Sequence, residues 1–132
     1  KTDLAAGQKA TASNTRQNDA AFSPDRVLDG NPDTYWATDD EQTSGWLEVD
    51  LGDPRTFNIA CMQEAIALGQ RVESYAVQYW DGRAWQTASK GTTIGHKKLD
   101  RFEPVTAQRV RLVVDKALAC PTISTFGLYF AR

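Results

Sequence analysis

Leu47-Glu48-Val49-Asp50-Leu51 alternates apolar and acidic side chains residue by residue. Successive side chains of a strand point to opposite faces, so this spacing predicts a half-buried β-strand with Leu47, Val49 and Leu51 turned inward. Val110-Arg111-Leu112-Val113-Val114 repeats the pattern, with Val110, Leu112 and Val114 on the inner side. Tyr75, Val77 and Tyr79 line one side of a further strand, and Phe57, Ile59 and Cys61 one side of another. Segments 85–90, 98–102 and 123–130 bring the set to about eight short strands, with turn residues between them. No segment holds a helical period for long. A short helix is expected only at Pro24–Leu28, with Ser23 as N-cap and Pro24 in the first helical position. Many short strands with turn punctuation predict an all-β fold, an antiparallel jelly-roll β-sandwich.

The composition narrows the function. At 132 residues the chain is expected to form a single domain over 1–132 with a core that needs no staples. Fifteen basic and seventeen acidic residues leave a net charge of −2. No basic stripe is available to neutralise phosphates, which argues against a nucleic-acid partner. No apolar run approaches spanning length, and a membrane partner is not expected. The opening Lys1-Thr2-Asp3 carries no signal-peptide pattern and is expected of an excised domain or a processed product. Cys61 and Cys120 lack the spacing of a metal or redox pair, which leaves two buried thiols or one disulfide.

Loop lengths carry the next inference. Gly52-Asp53-Pro54-Arg55, Asp81-Gly82-Arg83 and Glu103-Pro104-Val105 read as tight turns. They alternate along the chain with longer connections at 14–45, 63–71, 91–97 and 115–122. Antiparallel strands send alternate connections to opposite ends, so the long loops should gather at one end. Function on a rigid sandwich concentrates at such an end. There the loops would assemble Arg16, Gln17, Trp36, Asp39, Asp40, Glu64, Arg71, His96, Lys97 and Lys116. An aromatic face beside hydrogen-bonding and charged groups suits a sugar, whose C–H face packs on the ring. Catalysis is not expected: there is no G-x-S-x-G elbow, and a single histidine does not build a multi-histidine zinc site.

Within the longest connection, Asp29-Gly30-Asn31-Pro32 places two turn signals back to back. The oxygens of Asp29, Asn31, Asp33 and Thr34 are crowded into that curl, as a hard cation such as calcium requires. A plain turn with surface acids is the alternative reading of those residues.

The motifs together resemble a known family. The D-G-N-x-x-T-x-W run from Asp29 to Trp36, then Trp46-Leu47-Glu48-Val49-Asp50-Leu51-Gly52, Gln78-Tyr79-Trp80 with Asp81-Gly82 and Trp85, and Arg109-Val110-Arg111-Leu112 resemble the coagulation factor 5/8 type C, or discoidin, domain. They are also similar to family 32 carbohydrate-binding modules, of the same galactose-binding-domain-like fold. Gln63-Glu64, the run from Leu68 to Tyr75, the run from Gly91 to Lys97 and the ending Ile123 to Tyr129 resemble the C-terminal domain of family 29 alpha-L-fucosidases. The resemblance implies a secreted or periplasmic, non-catalytic accessory module that weakly binds glycans with terminal galactose or fucose. Its partner would be a catalytic glycosidase domain in the same chain. The alternative is a structural domain that docks on that catalytic domain and completes it. The expected carbohydrate-binding residues are Trp36, as the stacking face, with Glu64, Arg71, His96 and Lys97. The resemblance further implies one structural calcium held by Asp29, Asn31 and Thr34, with Thr125 standing where the family places a glutamate.

Overall fold

The computed structural model describes residues 2–132; Lys1, which belongs to the expected domain and its opening motif, lies outside them. The strands are β1 (Lys9–Ala12), β2 (Trp36–Ala37), β3 (Gly45–Glu64), β4 (Val72–Trp80), β5 (Trp85–Gly91), β6 (Lys98–Ala117) and β7 (Thr122–Tyr129). All strand pairings are antiparallel, in the order β2-β7-β3-β6-β4-β5, with β1 on the free edge of β3. Among the described residues helical structure is limited to four short 3-10 turns, at Arg16–Asn18, Ala20–Phe22, Pro24–Leu28 and Ile66–Leu68.

Two strands of 20 residues, β3 and β6, make the sandwich. Each runs through one layer, bends, and continues into the other. In the first layer Gly45 to Asp50 of β3 pairs with β1 and with Arg109 to Val114 of β6, which in turn pairs with β4. Their register breaks between Asp50 and Arg55, where Gly52 takes φ +85°, a conformation open to glycine at little cost. Beyond the bend, Arg55 to Met62 pairs with Lys98 to Ala107, and Ile59 to Glu64 pairs with β7. Gly52-Asp53-Pro54-Arg55 and Glu103-Pro104-Val105 are therefore bends within long strands and not links between separate ones, which corrects the strand count.

Leu47, Val49 and Leu51 meet Val110, Leu112, Val114, Tyr75 and Val77 in one core with Phe57, Ala60, Met62, Phe126 and Leu128. The expected inner face of Phe57, Ile59 and Cys61 is half right. A bulge between Phe57 and Ile59 shifts the alternation by one residue. Ala60 and Met62 enter the core in their place. Cys61 and Cys120 are free and buried, which decides between the two readings of the pair. Burial pushes the Cys61 thiol up.

On the outer face of the first layer, Glu48 accepts hydrogen bonds from Arg109 Nε at 2.7 Å and Arg111 Nε at 2.9 Å. Arg111 lies between Trp46 and Trp85, its Cζ 3.8 and 4.2 Å from the ring centroids. Arg109 lies 5.3 and 5.4 Å from Trp85 and Trp80. The faces of these tryptophans are occupied by guanidinium groups, so this side of the sandwich is braced.

Candidate functional site

The long connections meet at one end, and a single carboxylate ties two of them, 63–71 and 91–97. Glu64 ends β3 and is 2% exposed. Its Oε1 accepts from the backbone N–H of Arg71 at 2.8 Å and Val72 at 3.0 Å, and its Oε2 from Gly95 at 2.8 Å. Its own backbone N–H donates to Gly95 O at 2.9 Å. Arg71 and Gly95 are loop residues and Val72 opens β4, and the carboxylate supplies their N–H groups with the acceptors that a ladder would. Glu64 is thus a buried brace with both oxygens engaged, and its expected role on a sugar is corrected.

The other two connections, 14–45 and 115–122, are joined through Cys120. Arg71 Nη1 donates to Cys120 O at 2.9 Å and lies 3.2 Å from its Sγ. Arg16 Nη2, from the first long loop, lies 2.9 Å from the same sulfur, and Arg16 Nε donates to Thr38 O at 3.3 Å. Leu118 N donates to Arg71 O at 2.8 Å and Ala65 N to Thr122 O at 3.0 Å. Arg71 is half-buried and commits Nη1 to this internal network, so it braces the loops. Trp36 is corrected as well. It is 0% exposed, with its Nε1 donating to Asn14 O at 3.0 Å, and has no free face for a sugar.

His96 and Lys97 remain exposed, following Gly95 at the tip of its loop. His96 lines a cleft of about 300 Å³ with Pro32, Asp33, Tyr35 and Ala65 to Leu68. Gln63 and Ser124 also border it. Ile66 and Leu68, in the 3-10 turn after β3, are 47% and 42% exposed. Tyr35 packs against Phe22, ring centroids 5.6 Å apart. The cleft offers an apolar wall with polar groups at its rim, a composition usual for small-ligand sites. Tyr35, Leu68 and Gln63 were not among the expected ligand residues. Their signal was present in the D-G-N-P-D-T-Y-W run and in the apolar Ile66-Ala67-Leu68 beside His96.

The expected metal residues do come together. The backbone N–H of Asn31 donates to Asp29 Oδ1 and that of Asp33 to Asn31 Oδ1, each at 2.9 Å. These two bonds curl the loop and set Thr34 Oγ1 beside Asp29 Oδ2, 3.1 Å from Asn31 O and 3.4 Å from Arg26 O. One hydroxyl proton cannot serve three acceptors fully. A hard cation among these oxygens would relieve their crowding, so the donor set fits calcium in type. Asn31 would contribute its carbonyl, since its side-chain oxygen holds the turn. Among the described residues no group of three or more His, Cys, Asp or Glu side chains is placed to hold a metal, so such a site would carry little negative charge.

A β-sandwich with its irregular loops braced at one end around a shallow cleft has the architecture of a binding module. The chain belongs to the F5/8 type C domain family, which matches residues 9–125, and is a non-catalytic module of that class. It is 39% identical over 129 residues to an Oryza sativa subsp. japonica protein assigned the name alpha-L-fucosidase 1, covering 96% of this chain and 25% of that protein. A Ruminococcus gnavus GH29 fucosidase solved in complex with fucose superposes with a TM-score of 0.90 at 34% identity, over 99% of this chain and 27% of that one. Chitosan-binding module 1 of a chitosanase/glucanase from Paenibacillus sp. IK-5 superposes with a TM-score of 0.85 at 26% identity, covering 98% and 99%. The chain thus spans about a quarter of the length of the fucosidases it matches.

Proposed function

We propose that this module binds the terminal sugar of galactose- or fucose-bearing glycans in the cleft beside His96, on behalf of a glycosidase acting on fucosylated glycans outside the cytoplasm. The observation that carries the reading is the cleft itself, an apolar wall with His96, Asp33 and Gln63 around it, at the braced loop end. A neutral imidazole can donate or accept, and the carboxylate and amide serve adjacent hydroxyls. Each such bond contributes about 0.5–1.5 kcal/mol net, or about 1.5–3 with a charged partner. A few of them in an open cleft give affinities of roughly millimolar to high-micromolar Kd. Retention then comes from attachment to the enzyme and from multivalent glycans. Calcium at Asp29, Asn31 and Thr34 would stiffen the segment that lines the cleft.

NMR titration with galactose- and fucose-terminated oligosaccharides tests the reading. Shifts should centre on residues 32–35, 63–68 and 95–97, and His96→Ala should weaken binding about tenfold without changing the fold. Absence of shifts at high millimolar sugar would leave docking against a catalytic domain as the better account.

A further inference from the structure

The outer face of the first layer carries a longer feature, away from His96. Strand register sets Trp46 opposite Val113, Val113 opposite Ala76 and Ala76 opposite Lys90, a single rung across β3, β6, β4 and β5. Leu47, Leu112 and Val77, their chain neighbours, point into the core, so this rung faces outward. Two clefts open along it. One of about 430 Å³ is bordered by Trp46 and Val113, and one of about 510 Å³ by Ala76 and Lys90. Asp115 borders both, so they lie side by side across the sheet. Three strand spacings make the rung about 14 Å long.

The lining narrows the ligand. Of the side chains around the two clefts, Asp115 and Lys90 alone are charged, one of each sign. A polyanion needs a basic stripe and a polycation an acidic one, and this face has neither. A protein partner would be met by an apolar centre with aromatic anchors. Here the groups on offer are amides and hydroxyls: Gln42 and Ser44 at the first cleft, Gln78, Thr87 and Thr92 at the second. These five side chains hydrogen-bond to no other group among the described residues, and each can both donate and accept. The Arg111 guanidinium, with Cζ 3.8 Å from the Trp46 ring centroid, holds one end of the rung in place. A floor already rigid loses little freedom on binding.

We propose that this face is a second binding site, which holds an extended, uncharged glycan chain across the strands from Trp46 to Lys90. The rung has room for roughly three linked rings. Its straightness suits a β-1,4-linked chain, whose rings form a flat ribbon, and not an α-1,4-linked chain, which coils. The cleft beside His96 would take the end of a glycan, and this face the run of one.

The test titrates cellobiose, cellotriose and cellotetraose into the whole chain and follows it by NMR. Maltotetraose is the coiled control, and L-fucose reports on the cleft beside His96. Affinity should rise about fivefold from cellobiose to cellotriose and little beyond, with shifts on Trp46, Ala76, Gln78, Thr87 and Val113. Gln42→Ala and Gln78→Ala, one in each cleft, should each weaken cellotetraose about threefold and leave L-fucose unchanged. Sensitivity to one variant alone would confine the ligand to one cleft and overturn the crossing. Equal binding of maltotetraose would overturn the ribbon geometry. No shifts on this face with cellotetraose at high millimolar concentration would overturn the site, whatever L-fucose does beside His96.

Discussion

Glu64 and Glu48 are the same side chain on the same strand, sixteen positions apart, and they do opposite kinds of work. Glu64 lies where β3 ends and spends both oxygens on backbone N–H groups of two loop residues and the first residue of β4. Glu48 lies where β3 is fully laddered and holds two guanidinium groups packed against tryptophans. One carboxylate substitutes for secondary structure; the other decorates structure already formed. Losses should therefore differ, because an unpaired buried backbone group costs its full desolvation whereas a partly buried ion pair at the sheet surface, with a second arginine still in place, loses less when one partner is removed.

The largest effect should come from Glu64→Ala, which strands the N–H groups of Arg71, Val72 and Gly95. A loss of about 3–4 kcal/mol is expected in denaturant unfolding at neutral pH. Glu64→Gln should lose roughly half of that, since one oxygen remains to accept and an amide N–H₂ would face a donor. A loss below about 1 kcal/mol for the alanine variant would erase the contrast, because it would mean water replaces the carboxylate at little cost.

Arg111→Ala should come next, at about 1–2 kcal/mol, from two cation–π contacts and one partly buried ion pair. Tryptophan emission should change, since Trp46 and Trp85 lose the group between them. The acid limb sharpens the point. Partial burial works to raise the Glu48 carboxyl, but hydrogen bonds from Arg109 and Arg111 outweigh it and hold the group below its ordinary value. A carboxyl depressed in the folded state adds stability that is present above about pH 4.3 and is lost as pH falls through the lower, folded value. Asp39, Asp50 and Asp81 are also depressed and contribute to the same limb. The difference between wild type and Arg111→Ala isolates Glu48, and the variant should lose stability less steeply in acid. Identical slopes would show that Arg109 alone sets the group.

Asp29 extends the comparison to a third carboxylate, exposed and turned toward neutral oxygens. Calcium at ten times its Kd should raise stability by about 1.4 kcal/mol, and Asp29→Ala should abolish that increment while changing the calcium-free protein little. A melting temperature that is the same with calcium and with chelator would make this loop a self-sufficient turn.

Periodic segments announced their positions in the sequence, and irregular ones did not. Leu47 to Leu51, Val110 to Val114 and Tyr75 to Tyr79 show their inner faces by alternation, and the core uses those residues. The bulge after Phe57 breaks the alternation without any glycine or proline to mark it, so Ile59 and Cys61 were placed on the wrong side. Turn chemistry at Gly52-Asp53-Pro54-Arg55 marked a change of direction but could not say whether hydrogen bonding continued beyond it. The meeting of the long loops followed from their lengths. Which of their side chains face water did not, because a non-repeating segment has no period to fix a face. Trp36 and Glu64 looked like ligands by chemistry and are buried. Ile66 and Leu68 were not singled out and line the cleft.

The two strands shared between layers also set the order in which the protein can be made. β7 is the penultimate strand of its layer, hydrogen-bonded to β2 and to β3, yet it is the last to be synthesised. Leu4 N donates to Leu128 O at 2.8 Å, so the first described residues are also fastened by the last strand. Until residue 129 has emerged from the ribosome or a translocation pore, the second layer lacks β7, and the Trp36–Ala37 strand has nothing to pair with. Such pairing between distant residues is slow to form. Nascent chains would therefore hold the apolar residues of the second layer open until β7 is made, and close that layer in one late step. Chaperone demand for this module should fall at its completion, not along its length.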